Sequence, residues 1–321
     1  MSEIFRWGML GCASIGDAIA NGMAKSEGNR LEAVASRDIN KAKAWAAARG
    51  VPLAFGSYDE LLRSGAVDLV YNPLPNSLHA EWTIRALEAG LPVLCEKPLA
   101  VNAAQAREVA EASRRTGLPV IEAFAYRYHP IYGRIRDLIR AGAIGRVVSV
   151  YSVFTWFLEN RSEIPASADL AGGSLMDVGC YCVNVSRMIA GCEPARVFAY
   201  ERRTSVDDTM IGLMEFPNGI LAEFECSMEA EERRYLEIKG TGGLIAVENP
   251  WNHGENEGRF ILRRGGKDEV IVTPGANGYH LEIEDLAQAF AAGAPTRFSL
   301  EDSIANMAAI DALYASAGKN S

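Results

Sequence analysis

The chain has no excess of basic residues. Lys and Arg number 32 against 41 Asp and Glu in 321 residues, a net charge of -9, and no stretch gathers the basic side chains into a stripe. Nucleic acid is therefore excluded as an expected partner. The six cysteines, at 12, 95, 180, 182, 192 and 226, include no Cys-x-x-Cys pair. That spacing argues against a disulfide framework and for small buried hydrophobes in a reducing cytoplasm. Cys180-x-Cys182 is the tightest pair, and no second ligand pair follows it, so no metal is expected. No apolar window is long enough to cross a bilayer, and Met1 to Arg6 has neither a basic segment nor an unbroken apolar run after it. A cytoplasmic protein with no membrane partner is the expectation. Internal repeats and low-complexity segments are missing as well.

What is present is the composition of an ordinary globular enzyme, 49% hydrophobic and 23% charged, at a length that favours two domains. From Ile4 to about Ala123, short apolar strands alternate with helical stretches: strands near 4–10, 30–35, 52–54, 68–72, 93–95 and 120–123, helices near 15–26, 40–50, 58–64, 77–90 and 102–116. This rhythm predicts an α/β domain with a parallel, doubly wound sheet. Beyond Ala123 a helix over 129–141 leads into a run of strands, with hairpin signals at Pro217-Asn218-Gly219, Gly240 to Gly243 and Arg264-Gly265-Gly266. Hairpin-linked strands predict a mostly antiparallel sheet in a second, α+β domain. A helix over 174–189 interrupts the strands and two helices, 280–292 and 301–317, close the chain. The expected division is 1–123 and 124–321, with the last helix a candidate to pack back on the first domain.

The first strand runs into Gly11-Cys12-Ala13-Ser14-Ile15-Gly16 and then a helix. Read as a dinucleotide turn, Gly11 permits the bend, Ala13 keeps the backbone near a pyrophosphate, and Gly16 lets the helix pack on the strand. Ser14 and Ile15 complete the turn, where helix amides face phosphates. Ala13 stands where a second glycine is usual, which weakens the fingerprint, and an ordinary strand-to-helix turn is the other reading. At the end of the second strand, Ser36 and Arg37 occupy the place of the acid that would hold a ribose 2'-hydroxyl. Arg37 can pair with a 2'-phosphate and so selects NADP. If Arg37 is instead a solvated turn residue, Asp38 does the ribose work and NAD is the cofactor. Asn72 and Pro73 end the fourth strand, and Asn76 and His79 follow as further cofactor contacts, although His79 also suits a packing role in its own helix.

The stretch Leu94-Cys95-Glu96-Lys97-Pro98 closes a buried strand with a charged pair. Ligands of open α/β sheets sit at the carboxyl ends of strands, which is where Lys97 falls. Glu96 either braces the strand end or meets the nicotinamide ribose. Further on, Gly172-Gly173-Ser174 starts a helix that places Asp177 and Tyr181, four apart, on one face. Taken alone, that pair reads as a surface contact.

Four blocks together carry a resemblance: Gly11-x-Ala13-x-x-Gly16, Asn72-Pro73-Leu74-Pro75-Asn76-Ser77-Leu78-His79, Cys95-Glu96-Lys97-Pro98 and Gly172-Gly173-Ser174-Leu175-Met176-Asp177-Val178-Gly179-Cys180-Tyr181. Their spacing resembles the glucose-fructose oxidoreductase / inositol dehydrogenase (Gfo/Idh/MocA) family over essentially the whole chain. The resemblance implies a Rossmann domain followed by a domain built on an open antiparallel sheet, often the oligomer interface. Tyr181 and the segment Glu122 to Pro130 are similar to the branch that holds D-xylose dehydrogenases and dimeric dihydrodiol dehydrogenases. The inositol branch carries His where this chain has Tyr181.

Oxidising a sugar hydroxyl needs a hydride acceptor, which the cofactor supplies, and a proton acceptor, which the protein must supply. Bringing either Tyr or Lys to neutrality takes about 4 kcal/mol of differential stabilisation, from a neighbouring ammonium for Tyr or from burial for Lys. The expected set is Tyr181 as proton acceptor, Lys97 lowering its pKa and holding the substrate oxygen, and Asp177 orienting substrate or Lys97. Lys97 as the base is the alternative. Tyr126, Arg127, Trp156 and Phe157 are the expected substrate contacts, the last two by stacking on a sugar face. The leading expectation is an NADP-dependent oxidation of an aldose such as D-xylose or glucose to its lactone, by a homodimer or homotetramer assembled through the second domain's sheet. Dihydrodiol or ketosugar turnover is the nearest alternative. A cofactor-sensing regulator would lack Lys97, Asp177 and Tyr181, and a redox-assisted glycoside hydrolase would ordinarily use NAD.

Overall fold

A strand that is apolar on both faces needs cover on both, and Val93-Leu94-Cys95, fully buried, shows how the first half of the chain supplies it. The computed structural model describes residues 4–251 and 254–318. Eleven elements alternate: β1 (Phe5–Leu10), α1 (Gly16–Met23), β2 (Asn29–Ala35), α2 (Ile39–Arg49), β3 (Leu53–Phe55), α3 (Tyr58–Arg63), β4 (Leu69–Asn72), α4 (Asn76–Glu88), β5 (Val93–Glu96), α5 (Ala103–Thr116) and β6 (Val120–Ala123). The six strands form one parallel sheet in the order β3-β2-β1-β4-β5-β6. This is the doubly wound arrangement expected, with its strand order reversing beside β1, where such sheets bind ligands.

The rest of the chain runs α6 (Pro130–Arg140), β7 (Val147–Phe157), α7 (Cys180–Ala190), β8 (Arg196–Arg203), β9 (Asp207–Glu215), β10 (Leu221–Ser227), β11 (Glu229–Gly240), β12 (Gly243–Glu248), β13 (Gly258–Arg264), β14 (Lys267–Thr273), α8 (Gly278–Ala292) and α9 (Leu300–Ala317). Its eight strands form a second sheet in the order β14-β13-β12-β11-β7-β10-β9-β8. All of its pairs are antiparallel except β7 with β10, which run in parallel from Ser149 opposite Leu221 to Thr155 opposite Ser227. The hairpin at Pro217-Asn218-Gly219 closes between β9 and β10, where Phe216 N donates to Ile220 O at 2.9 Å.

The contacts divide the chain into two units, and the division differs in detail from the expected one. The first unit runs through Ala125 and takes back Tyr279–Ile304; the second holds Tyr126–Gly278 and the chain from Ala305. The helix that returns to the first unit is thus α8, followed by only the start of α9. The reason is apolar: Ile283 and Leu286 of α8 are fully buried in one core with Trp7, Met9, Ile19 and Leu94. A polar seam reinforces it, with Trp7 Nε1 donating to Asn29 Oδ1 at 2.8 Å and Asn29 Nδ2 to Glu284 Oε1 at 3.1 Å.

Cys95, Cys180, Cys182 and Cys226 are buried as expected of small hydrophobes, whereas Cys12 and Cys192 reach the surface in part, and none is bonded to another. Among the described residues, no helix is long and apolar enough to cross a membrane.

Candidate functional site

The dinucleotide turn is built as its residue types require. Gly11 has φ +92°, a conformation that costs glycine nothing and other residues strain. A Cβ on Gly16 would lie 2.7 Å from Met9 Sδ and 3.1 Å from the Trp45 ring, so only glycine lets α1 approach β1 this closely. Ile15 stands at the N-cap of α1 and provides no side-chain hydrogen bond; Gly16 N, Asp17 N and Ala18 N donate to Ala13 O, Ser14 O and Ile15 O at 3.1, 3.1 and 3.0 Å, which tightens the turn at the positive end of the helix dipole. These features fit a dinucleotide's pyrophosphate.

Beyond β2, Ser36 is buried and its Oγ accepts from Asp38 N at 3.3 Å. Asp38 in turn caps α2, its Oδ1 accepting from Asn40 N at 2.8 Å and Lys41 N at 3.4 Å. A carboxylate so used is drawn away from a ribose, which leaves the exposed Arg37 as the group facing that end. Arg37 also lies beside the Tyr58 phenol; burial raises the Tyr58 pKa and the guanidinium partly offsets the rise. Tyr58 Oη is 4.0 Å from where a Gly11 Cβ would be, so Arg37 borders the turn itself. Lys41, which the sequence reading missed, is a second cation here. Its backbone oxygen accepts from Cys12 Sγ at 3.9 Å, and its only signal in the sequence was a place in the first turn of the capped helix.

Two expected cofactor contacts have other work. Asn72 is fully buried, with Nδ2 donating to His79 O and Thr83 Oγ1, each at 3.1 Å, and Oδ1 accepting from Leu74 N at 3.3 Å. His79 is buried with Nδ1 2.7 Å from Pro98 O and Nε2 2.6 Å from Leu74 O. Burial lowers its pKa to about 4, so the neutral ring donates to one of those carbonyls. Both residues staple the loop after β4 to the turn after β5, and neither has a polar atom left for a cofactor. Pro73 is buried in that loop, while Asn76 stays partly exposed at the start of α4.

At the end of β5, Tyr71 Oη donates to Glu96 Oε1 at 2.7 Å, and Glu96 Oε2 accepts from Lys97 N at 3.3 Å. Of the two roles expected for Glu96, this geometry provides the brace. Burial raises the Glu96 pKa, and the Lys97 charge and the Tyr71 bond oppose it. Behind lies a group the sequence did not reveal: Glu282 of α8 is fully buried, with neither carboxylate oxygen hydrogen-bonded. Burial first, then the Glu96 charge, pushes its pKa far above the usual carboxylate range.

The second unit holds Asp177 and Tyr181, but not on the regular helix expected. Leu175–Gly179 forms a π-helical turn before α7 begins, the kind of wide turn that recurs at functional sites. Trp156 Nε1 donates to Asp177 Oδ2 at 3.2 Å. Tyr181 packs among Phe154, Tyr126 and Trp251, with ring centroids 5.5, 5.7 and 5.7 Å away. Trp251 is a member of this wall that no motif signalled. Tyr126 is buried and donates to Asn184 Oδ1 at 2.5 Å, so it backs Tyr181. Arg127 follows on the single turn Ala125–Tyr128, partly buried. Phe157 is a correction: side chains alternate along β7, so with Trp156 turned to Asp177 its neighbour is 62% exposed and stacks on nothing there.

Glu282 makes the folded state titratable. Between the unfolded carboxyl pKa, about 4.5, and the raised folded value, unfolding releases a proton. Stability therefore falls as pH rises through that window, by up to about 1.4 kcal/mol per pH unit. In urea unfolding from weakly acidic to neutral pH, Glu282→Gln is expected to show a shallower loss of stability with rising pH than the parent. Identical pH slopes would mean that Glu282 is ionised in the folded protein.

Comparison with known proteins agrees with this construction. The family described as "Oxidoreductase family, NAD-binding Rossmann fold" matches residues 5–124, and the GFO/IDH/MocA C-terminal domain matches residues 132–246. The chain is 37% identical to D-xylose 1-dehydrogenase (NADP(+)) 2 of Haloferax volcanii over 316 residues, 97% of each protein. It is 33% identical to the trans-1,2-dihydrobenzene-1,2-diol dehydrogenase of Macaca fuscata fuscata, covering 84% of this chain and 80% of the relative. A crystal structure of a Tyr-to-Phe variant of KijD10, a 3-ketoreductase from Actinomadura kijaniata in complex with TDP-benzene and NADP, superposes with a TM-score of 0.93 at 29% identity over 98% of both chains. On these matches and the geometry of its nucleotide turn, the chain belongs to the GFO/IDH/MocA family of oxidoreductases and is an NAD(P)-dependent dehydrogenase.

Proposed function

We propose that the chain oxidises the hydroxyl of an aldose, a pentose or hexose, to a lactone with NADP. The observation that carries the reading is the cluster around Tyr181: Tyr181, Asp177, Phe154 and Trp156 are half-buried, and the buried Tyr126 and Trp251 back them. A pyranose or furanose has apolar faces and a hydroxyl edge, which is the complement of such a surface. The name of one relative, a D-xylose 1-dehydrogenase (NADP(+)), supports the same class.

Gly11, Ala13, Ser14, Ile15 and Gly16 would hold the pyrophosphate, and Ser36 and Arg37, with Lys41, the 2'-phosphate. When bound, the nicotinamide supplies the hydride-accepting carbon. The protein's part is the proton. Tyr181 accepts it from the substrate hydroxyl, Lys97 contributes positive charge that favours phenolate and the substrate oxygen, and Asp177, steadied by Trp156, orients the neighbouring hydroxyl. A cyclic dihydrodiol or a ketosugar is the second reading, because the aromatic cluster suits a flat ring and the matches include a dihydrodiol dehydrogenase and a 3-ketoreductase.

We also infer self-association of two copies through the open face of the eight-stranded sheet. Tyr200 and Ile211, directly opposite each other on β8 and β9, are 59% and 56% exposed, and Phe198, Leu213 and Leu221 continue the patch. Contiguous apolar surface of this kind marks interaction sites.

A panel of aldoses, polyols and dihydrodiols, assayed with NAD and NADP separately, is expected to give cofactor reduction fastest with an aldose and NADP. Turnover without net cofactor reduction would replace the dehydrogenase reading with a hydrolytic one. For Tyr181→Phe, kcat is expected to fall about a hundredfold or more, as loss of a positioned base does; unchanged kcat at saturating substrate would move the proton to Lys97. Arg37→Ala is expected to cost NADP about tenfold or more in kcat/KM, from charge-assisted bonds worth about 1.5–3 kcal/mol, and to spare NAD. Activity with NAD alone in the parent would overturn the role of Arg37. In light scattering, the protein is expected at twice the chain mass or a higher multiple, and Ile211→Glu at a lower one; a monomeric parent would end the inference.

A further inference from the structure

The segment carrying Asp177 and Tyr181 begins at a pair of glycines and has no cap of its own. Ser174, at the start of the π-helical turn, makes no hydrogen bond to the turn's own amides. The acceptor comes instead from a strand more than thirty residues away. Asp207, the first residue of β9, is buried, and its Oδ2 accepts from Leu175 N at 2.7 Å and from Ser174 Oγ at 2.9 Å. Its Oδ1 accepts from Tyr314 Oη, on α9, at 2.8 Å.

The backbone is shaped around this carboxylate. Gly173 has φ +122°, and a Cβ there would lie 2.0 Å from Asp207 Oδ1. A Cβ on Gly172 would lie 2.3 Å from Pro165 O, to which Gly173 N is bonded at 2.8 Å in the loop behind. From that fixed start, Asp177 N donates to Gly173 O at 2.9 Å, and the π-helical turn leads directly into α7 and Tyr181. The neighbouring Asp208 takes no part in this grip: it is paired with Arg161.

We infer that Asp207, oriented by Tyr314, is a positioning residue that sets where Asp177 and Tyr181 are presented. It touches neither substrate nor cofactor. The Asp207 carboxyl satisfies the open amide at the start of the turn, and three donors hold it in one rotamer, opposing the burial that raises its pKa. This rests on the roles proposed above for Tyr181 and Asp177. Displacing a reacting group by about 1 Å costs on the order of a hundredfold in rate, so a clamp on the turn acts on kcat even from a distance.

The test compares Asp207→Ala, Tyr314→Phe and Tyr181→Phe in the full chain, measuring kcat, the KM for NADP and the pH midpoint of kcat. Asp207→Ala and Tyr314→Phe are expected to lower kcat about tenfold or more, with the KM for NADP unchanged. The midpoint should move to higher pH as the phenol is displaced from the Lys97 charge proposed to favour phenolate. Should Asp207→Ala fail to fold, Tyr314→Phe decides, since it removes a single hydroxyl. Parental kcat and midpoint in folded Tyr314→Phe, while Tyr181→Phe is impaired, would overturn this inference alone. Parental turnover in Tyr181→Phe would overturn the reading beneath it.

Discussion

A carboxylate buried in protein must be answered by donors or give up its charge, and each of the two units is built on that constraint. In the first unit Glu96 is answered by the Tyr71 hydroxyl across the ends of β4 and β5, and by the amide of Lys97. In the second, Asp207 is answered by Ser174, Leu175 and Tyr314. Each cluster adjoins a segment proposed to carry chemistry, Lys97 in one case and Asp177 with Tyr181 in the other. Glu282 is the exception, a buried acid with no donor, and burial accordingly drives it toward the neutral form.

The same economy explains why polar residues of the motifs are structural as often as they are chemical. Asn72 and His79 belong to a block that resembles a cofactor-binding segment, and both are spent on holding a loop. What they fix is the shape of the backbone between Pro73 and Lys97. Asp38 is a parallel case. Its capping bonds to the start of α2 leave Arg37 and Lys41 as the charges nearest the turn, which gives the second strand's end a positive character suited to a phosphate.

Aromatic residues make the second unit's contribution specific. Phe154 and Trp251 stack with rings 6.0 Å apart at an interplanar angle of 9°, and Tyr126 meets Tyr132 edge-on at 4.9 Å behind them. A phenol held in such a wall has little freedom to leave it, so its orientation depends on the segment that carries it. The π-helical turn before α7 is where that orientation is set.

Alternation of apolar strands with helices, hairpin signals and the Gly11 to Gly16 turn were legible because they are local: periodicity and backbone geometry depend on a few neighbouring residues. The parallel sheet, the mostly antiparallel sheet, Lys97 at the end of its strand and Tyr181 on its helix were all readable in that way. Trp251, Glu282 and Asp207 were not, since each matters only for residues more than thirty positions away. Nor were the widened turn at Leu175–Gly179 and the return of α8 to the first unit. Those outcomes follow from long-range packing and from which donors reach a buried carboxylate, and only the folded chain decides them.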